Sequence, residues 1–233
     1  MKLVVVAALL VLSSCVDKEA AARKKAEAQK SFMQAESRAR LEQEQLESKK
    51  AIDDATRGCD GGKPASCMAL GKLQKDPGAA YAKACALQSK EGCRIAAEQA
   101  SDGTVKLGHL KSLCALEDAD GCLQGAALAD ELAKAGQLKE GPRPSARDAI
   151  VLLKRACDLG TAIACTAGGI ALVELEPKDS IKLFTKGCDA GEPTSCLQLA
   201  TMLGQGVGVK KKDPAKAKIL RKKACDAGLK DAC

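Results

Sequence analysis

Twelve of the thirteen cysteines fall into six pairs that share one spacing, Cys-x7-Cys: Cys59/Cys67, Cys85/Cys93, Cys114/Cys122, Cys157/Cys165, Cys188/Cys196 and Cys225/Cys233. The spacing inside a pair never varies, whereas the interval between pairs ranges from 18 residues (Cys67 to Cys85) to 35 (Cys122 to Cys157). Two cysteines eight apart on one continuous helix would stand about 12 Å apart. A disulfide needs Cα atoms roughly 4.4–6.8 Å apart. Each pair therefore marks a sharp reversal, with its first cysteine in the last turn of one helix and its second in the first turn of the next. The intervals between pairs then carry antiparallel hairpins.

The segments around the last two pairs support this reading. A helix containing Cys196, Leu199, Met202 and Leu203 on one face is predicted, with Thr194 or Ser195 as its cap. Gly204, Gly206 and Gly208 break it, and Asp213-Pro214 opens the next helix as cap and first residue. Ala217, Leu220 and Ala224 line that helix's apolar stripe. Gly191 and Gly228 follow helix-ending cysteines, where a left-handed residue is expected. The last bond is expected to pin the C-terminal residues.

A stack of short helices needs staples because the chain has little else with which to fill a core. Aromatic residues are only 1% of the chain, namely Phe32, Tyr81 and Phe184, and tryptophan is absent. Large side chains supply much of an ordinary core's stabilisation. Each nine-residue ring adds roughly 2–3 kcal/mol by constraining the unfolded chain. Such bonds persist in oxidising compartments.

The odd cysteine, Cys15, points to the same place. It follows a basic residue (Lys2), an apolar stretch from Leu3 to Leu12, and Ser13-Ser14. This is the layout of a secretory signal, too short for a membrane span of about 20 residues. Leu12-Ser13-Ser14-Cys15 resembles the bacterial lipobox, which implies acylation of Cys15 and cleavage before it. Several acyl chains give stable anchoring. Val16 in the following position implies sorting to the outer membrane. Residues 1–14 are thus read as a lipoprotein signal peptide.

Residues 15–57 are read as the lipid anchor and a charged helical spacer. The stretch lacks Pro and Gly until its end and is rich in Ala, Glu, Lys, Gln and Arg. Glu19/Arg23 and Glu36/Arg40 are favourable i,i+4 pairs. Phe32, Ala39 and Leu46 recur every seven residues, but Glu42 and Lys49 occupy the companion positions, which makes a poor coiled-coil seam.

The remaining stretch, 58–233, carries the repeats. Cys196-Leu-Gln-Leu-Ala, Leu203-Gly-Gln-Gly-Val-Gly-Val-Lys, Asp213-Pro-Ala-Lys-Ala and Lys223-Ala-Cys-Asp-Ala-Gly resemble the Sel1-like repeat family, relatives of tetratricopeptide repeats, and in particular its secreted cysteine-rich branch. The intervals 67–85 and 93–114 are shorter than the usual repeat, and 122–157 holds an insert around Gly136-Gln-Leu-Lys-Glu-Gly-Pro-Arg-Pro. The expected fold is all-α: a disulfide-stapled helical-hairpin repeat solenoid preceded by a long charged helix.

The resemblance implies a scaffold that binds proteins through an extended groove. The expected partner is another envelope or secreted protein, with the membrane engaged through the lipid anchor. Gln198, Thr201 and Gln205 fall away from the Cys196/Leu199/Leu203 face and are the candidate partner-binding residues. Cysteine-rich relatives also imply an alternative, a β-lactam-binding protein or weak β-lactamase. The residues offer it no machinery, since Ser-x-x-Lys, Ser-Asp-Asn and Lys-Thr-Gly are all missing.

No cofactor or metal is expected. Zinc sites use close Cys-x2-Cys pairs, which are missing here, and the single histidine, His109, is read as a helix-surface residue. The formal charge is +7. Its densest cluster is Lys210, Lys211, Lys212, Lys216, Lys218, Arg221, Lys222 and Lys223. This reads first as a solvated face and secondarily as a site for an anionic surface. No aromatic residues interleave with it, which argues against nucleic acid as a partner.

Overall fold

The computed structural model describes residues 2–138 and 144–233, with side chains described for 21–138 and 147–233. Cys15 and Glu19 of the Glu19/Arg23 pair lie outside the described side chains, as does most of the insert after Gly136.

The chain divides into two units, residues 1–54 and 55–233. The first is carried by helix α1 (Lys2–Asp60), which continues past the boundary. From residue 21 to 51 every side chain is exposed. This stretch is helical through local preference and i,i+4 contacts such as Glu36–Arg40 at 3.0 Å and Gln43–Glu47 at 3.1 Å. Phe32 and Leu46 stay in solvent. Among the described residues no helix is long and apolar enough to cross a membrane.

The second unit is a solenoid of short antiparallel helices. After α1 come α2 (Pro64–Leu73), α3 (Gly78–Ala86), α4 (Lys90–Gln99), α5 (Gly103–Ala115), α6 (Ala119–Lys134), α7 (Pro144–Asp158), α8 (Ala162–Leu172), α9 (Pro177–Asp189), α10 (Pro193–Gln205) and α11 (Pro214–Asp226). A 3-10 turn over Lys230–Ala232 follows. From α2 to α11 each pair of successive helices packs together. Helices α3, α5, α7 and α9 also touch in succession, and α8 touches α10, so the helices form two layers.

All six cysteine pairs are bonded in register. The Cα separations are 4.5 Å for Cys59–Cys67, 4.3 Å for Cys85–Cys93, 4.5 Å for Cys114–Cys122, 4.7 Å for Cys157–Cys165, 4.6 Å for Cys188–Cys196 and 5.0 Å for Cys225–Cys233. One corner departs from the expected geometry. Cys85 and Cys93 stand closer than the lower bound of about 4.4 Å expected for a disulfide. Gly92 stands directly before Cys93. A β-carbon there would lie 2.7 Å from Ala84 Cβ, so its absence lets α4 settle against α3 and leaves Cys93 completely buried.

The first cysteine is always the penultimate residue of its helix; in the first five pairs the second cysteine is the fourth residue of the next helix. The backbone of the bend is equally constant. The third residue after the first cysteine is left-handed in every pair: Gly62, Gln88, Glu117, Gly160, Gly191 and Gly228. The next residue donates its N–H back across the helix end, as Thr161 does to the Ala156 carbonyl (3.0 Å) and Glu192 to that of Gly187 (2.9 Å). A Schellman-type stop therefore hands the chain to the next helix at its N-cap.

The cap of α10 corrects the sequence reading. Neither Thr194 nor Ser195 caps it. Pro193 is its first residue, and the Glu192 carboxylate accepts from the Thr194 N–H at 3.2 Å. A proline tolerates only the first turn of a helix, so the cap must precede it. Asp213 and Pro214 do open α11 as cap and first residue, with Asp213 accepting from the Lys216 N–H at 2.9 Å.

The core is thin and built from Ala, Leu and Cys. Phe184 is the largest fully buried side chain among the described residues. It fits because the facing residue is Gly169, on which a β-carbon would lie 2.5 Å from the ring. Buried hydroxyls are paired: Ser180 donates to the Gly169 carbonyl (2.8 Å), and Ser195 and Thr166 share a hydrogen bond of 2.6 Å.

Candidate functional site

The cysteines supply a common register for comparing hairpins. In each, the residue eight before and the residue four before the first cysteine form the floor between two helices of the opposite layer. One wall comes from residues one, four and five after one second cysteine, and the other from the next second-cysteine helix, starting two residues after that cysteine.

Three successive intervals built to this plan differ in character. Between α4 and α6, over α5, the space is about 130 Å³ and charged, with Lys106 and Leu110 on the floor. Arg94 bridges Glu91 (2.9 Å) and Asp118 (3.0 Å) at its edge. Between α8 and α10, over α9, the interval is shut. The floor position there is Phe184, which packs on Gly169, and the Thr166–Ser195 bond joins α8 to α10.

Between α6 and α8, over α7, the interval is open and apolar. The cleft measures about 510 Å³. Its floor is Ala149, Ile150 and Leu153, and its walls are Leu123, Ala126 and Ala127 on one side and Ala167, Ile170 and Ala171 on the other. Alanine on both walls leaves side chains too short to meet across the gap, and Leu153 stands where Phe184 closes the next interval. Ile170 is 55% exposed at the rim. Asp130 provides a polar edge and is engaged by Lys134 at 2.5 Å.

The candidate partner-binding residues lie on α10. Gln198 and Thr201 are half-buried and Gln205 is exposed. Thr201 donates its hydroxyl to the Leu197 carbonyl at 3.0 Å. Spaced by three and then four residues, the three share one helix face. In the cysteine register Gln198 matches Ala167, and Thr201 matches Ala127 and Ile170. The open groove lies one interval upstream of these three residues, and its lining was not among the sequence candidates. The available signal was one alanine in each of two successive hairpins, Ala127 and Ala167.

His109 is half-buried on α5 rather than on the open surface, and burial pushes its imidazole pKa below the ordinary value. No group of three potential metal ligands occurs among the described residues. Asp179 pairs with Lys182 on its own helix and with Lys154 on α7. The Lys182 ammonium, followed by that of Lys154, pulls Asp179 from 3.8 down to about 2.

No family model matches the chain, and no curated protein matches it. Among solved structures it is similar to a protective antigen of uropathogenic Escherichia coli displaying an SLR fold, at 20% identity and a TM-score of 0.49. That alignment covers 78% of this chain, which spans only 42% of the antigen. It is also similar to a Sel1 repeat protein from Oxalobacter formigenes, at 18% identity over 78% of this chain and 86% of that one, with a TM-score of 0.45. A third similarity is to cysteine-rich protein B of Helicobacter pylori, at 23% identity over 57% and 92%, with a TM-score of 0.40.

Proposed function

We propose that this chain is a protein-interaction scaffold of the Sel1-like repeat type, and that the groove between α6 and α8 holds an apolar segment of another envelope or secreted protein. The single observation that carries this is the open apolar groove, rimmed by the exposed Ile170, between the charged interval over α5 and the one filled by Phe184 over α9. An exposed apolar cleft with a few polar groups at its edge is what a binding site looks like before its ligand arrives. Each wall helix is stapled to a neighbour, α6 to α5 by Cys114–Cys122 and α8 to the floor helix α7 by Cys157–Cys165. A groove held this way loses little conformational freedom on binding.

A photocrosslinker placed at Ile170 in intact cells tests the reading. One reproducible polypeptide is expected, and its yield should collapse when Ala127→Lys or Ala167→Lys fills the groove with a charge. Equal yields with and without those changes would dispose of the groove.

Lipidation of Cys15 and residence in the outer membrane belong to the same proposal and rest on the residues from Lys2 to Val16. Incorporation of an alkyne-labelled fatty acid that disappears in Cys15→Ser is the expected result. A β-lactam hydrolase is the alternative. Purified protein is expected to turn over nitrocefin no faster than its disulfide-reduced form.

A further inference from the structure

We propose that the outward face of α11, with the basic run that leads into it, is a docking surface for an anionic lipid bilayer. Residues 210–223 hold eight basic side chains and one acidic one, Asp213. Their net charge equals the +7 of the whole chain, so the rest of the protein is electrically balanced and this segment is not.

The imbalance arises where the ion-pair pattern of the solenoid stops. In three hairpins the basic residue two before the first cysteine reaches back to the preceding corner: Lys83 to Asp60 (2.6 Å), Arg155 to Glu117 (3.1 Å) and Lys186 to Asp158 (2.5 Å). A second series runs forward. Lys111 pairs with Asp148 (2.5 Å) and Lys154 with Asp179 (3.1 Å), joining a lysine three before one first cysteine to an aspartate nine before the next. On α11 that aspartate position is Lys216. The donor position on α9 is Thr185, whose hydroxyl turns to the Ile181 carbonyl at 2.7 Å. Lys222 pairs with Asp226 and Lys223 donates to the Cys188 carbonyl (2.9 Å), but Lys210, Lys211, Lys216, Lys218 and Arg221 have no anionic partner among the described residues.

The apolar content of the face decides between a membrane and a soluble polyanion. Ala215, Lys218, Ile219 and Lys222 share one side of α11 by helical spacing. Ile219 is 69% exposed with lysines on both sides of it. A soluble anionic polymer makes no use of an exposed isoleucine. A bilayer accepts it below the headgroups while the lysines extend to the phosphates.

The chain contains no tryptophan, so Ile219→Trp in the full-length protein creates a single site-specific reporter. Its emission is expected to shift to the blue on vesicles of phosphatidylglycerol and phosphatidylcholine in equal parts. No shift is expected on phosphatidylcholine alone, and about 0.5 M salt should reverse it. Adding Lys216→Glu, Lys218→Glu and Lys222→Glu should weaken the vesicle titration by at least about tenfold. Circular dichroism of these surface variants should match the parent. An unchanged emission on anionic vesicles, an equal shift on phosphatidylcholine, or an equal shift with soluble polyglutamate would each overturn the assignment. The reporter at position 219 reads α11 itself, so insertion of the N-terminal segment alone leaves it silent.

Discussion

Ser195 occupies the space that a side chain on Gly187 would need. A β-carbon on Gly187 would lie 2.8 Å from Ser195 Cβ and nearer still to its hydroxyl. The same relationship recurs beside three further staples, between the residues that precede the two cysteines. Gly58 faces Ser66 and Ala84 faces Gly92, with a β-carbon on Gly58 or Gly92 2.7 Å from its neighbour's Cβ; Gly121 is likewise crowded by Leu113. Ala156/Ala164 and Ala224/Ala232 hold the same positions. When one partner is large or polar, the other is glycine. Gly187→Ala is therefore expected to destabilise the unit by about 1–3 kcal/mol through overpacking. Adding Ser195→Ala, which recreates the Ala156/Ala164 pair, should recover part of that loss. Urea unfolding with the disulfides intact measures both.

Gln88 and Glu117 hold the left-handed position that is glycine in the other four corners, with φ of 64° and 63°. A side chain there carries a strain of about 1–2 kcal/mol. Gln88→Gly should raise stability by up to about 1 kcal/mol, the gain being reduced by the greater freedom of glycine in the unfolded chain. Gly160→Ala, at φ 96°, should lower it. Shifts of the thermal midpoint in opposite directions would verify the pair.

Both cysteines of the first five staples are buried, whereas Cys225 is half-buried and Cys233 is exposed. Thiol–disulfide exchange needs a thiolate to reach one sulfur. Limiting reductant followed by alkylation should label Cys225 and Cys233 first, as read by peptide mass spectrometry. The helical signal should hardly change, since that bond secures only the turn at Lys230–Ala232.

Asp179 accepts from Lys182 at 2.9 Å and from Lys154 at 3.1 Å. Its folded pKa, about 2, lies below the ordinary 3.8. A lowered carboxyl pKa means that the stabilisation is complete above pH 3.8 and is lost as pH falls toward 2. An NMR titration of the Asp179 carboxyl carbon should give that low midpoint, moving up in Lys182→Ala.

Much of the architecture is legible in the chain because each bend is a local event. Cysteines eight apart, a left-handed residue between them and a cap directly after it all lie within one nine-residue ring, so spacing alone locates the hairpins. Which small residue faces which across a corner is decided by packing: Gly92 fits against Ala84 between α3 and α4. The cap of α10 was misread where Ser195, a good capping residue in isolation, is instead buried against Gly187 and bonded to Thr166. That choice belongs to the packing of α8, α9 and α10 together.

Where this chain reverses and which sulfurs meet can be read from cysteine spacing, because a short covalent ring leaves little else possible. Which interval stays open depends on how distant helices pack. The floor at Leu153 and the walls at Ala127 and Ala167 come from three separate helices, and a groove is the volume that their side chains together fail to fill.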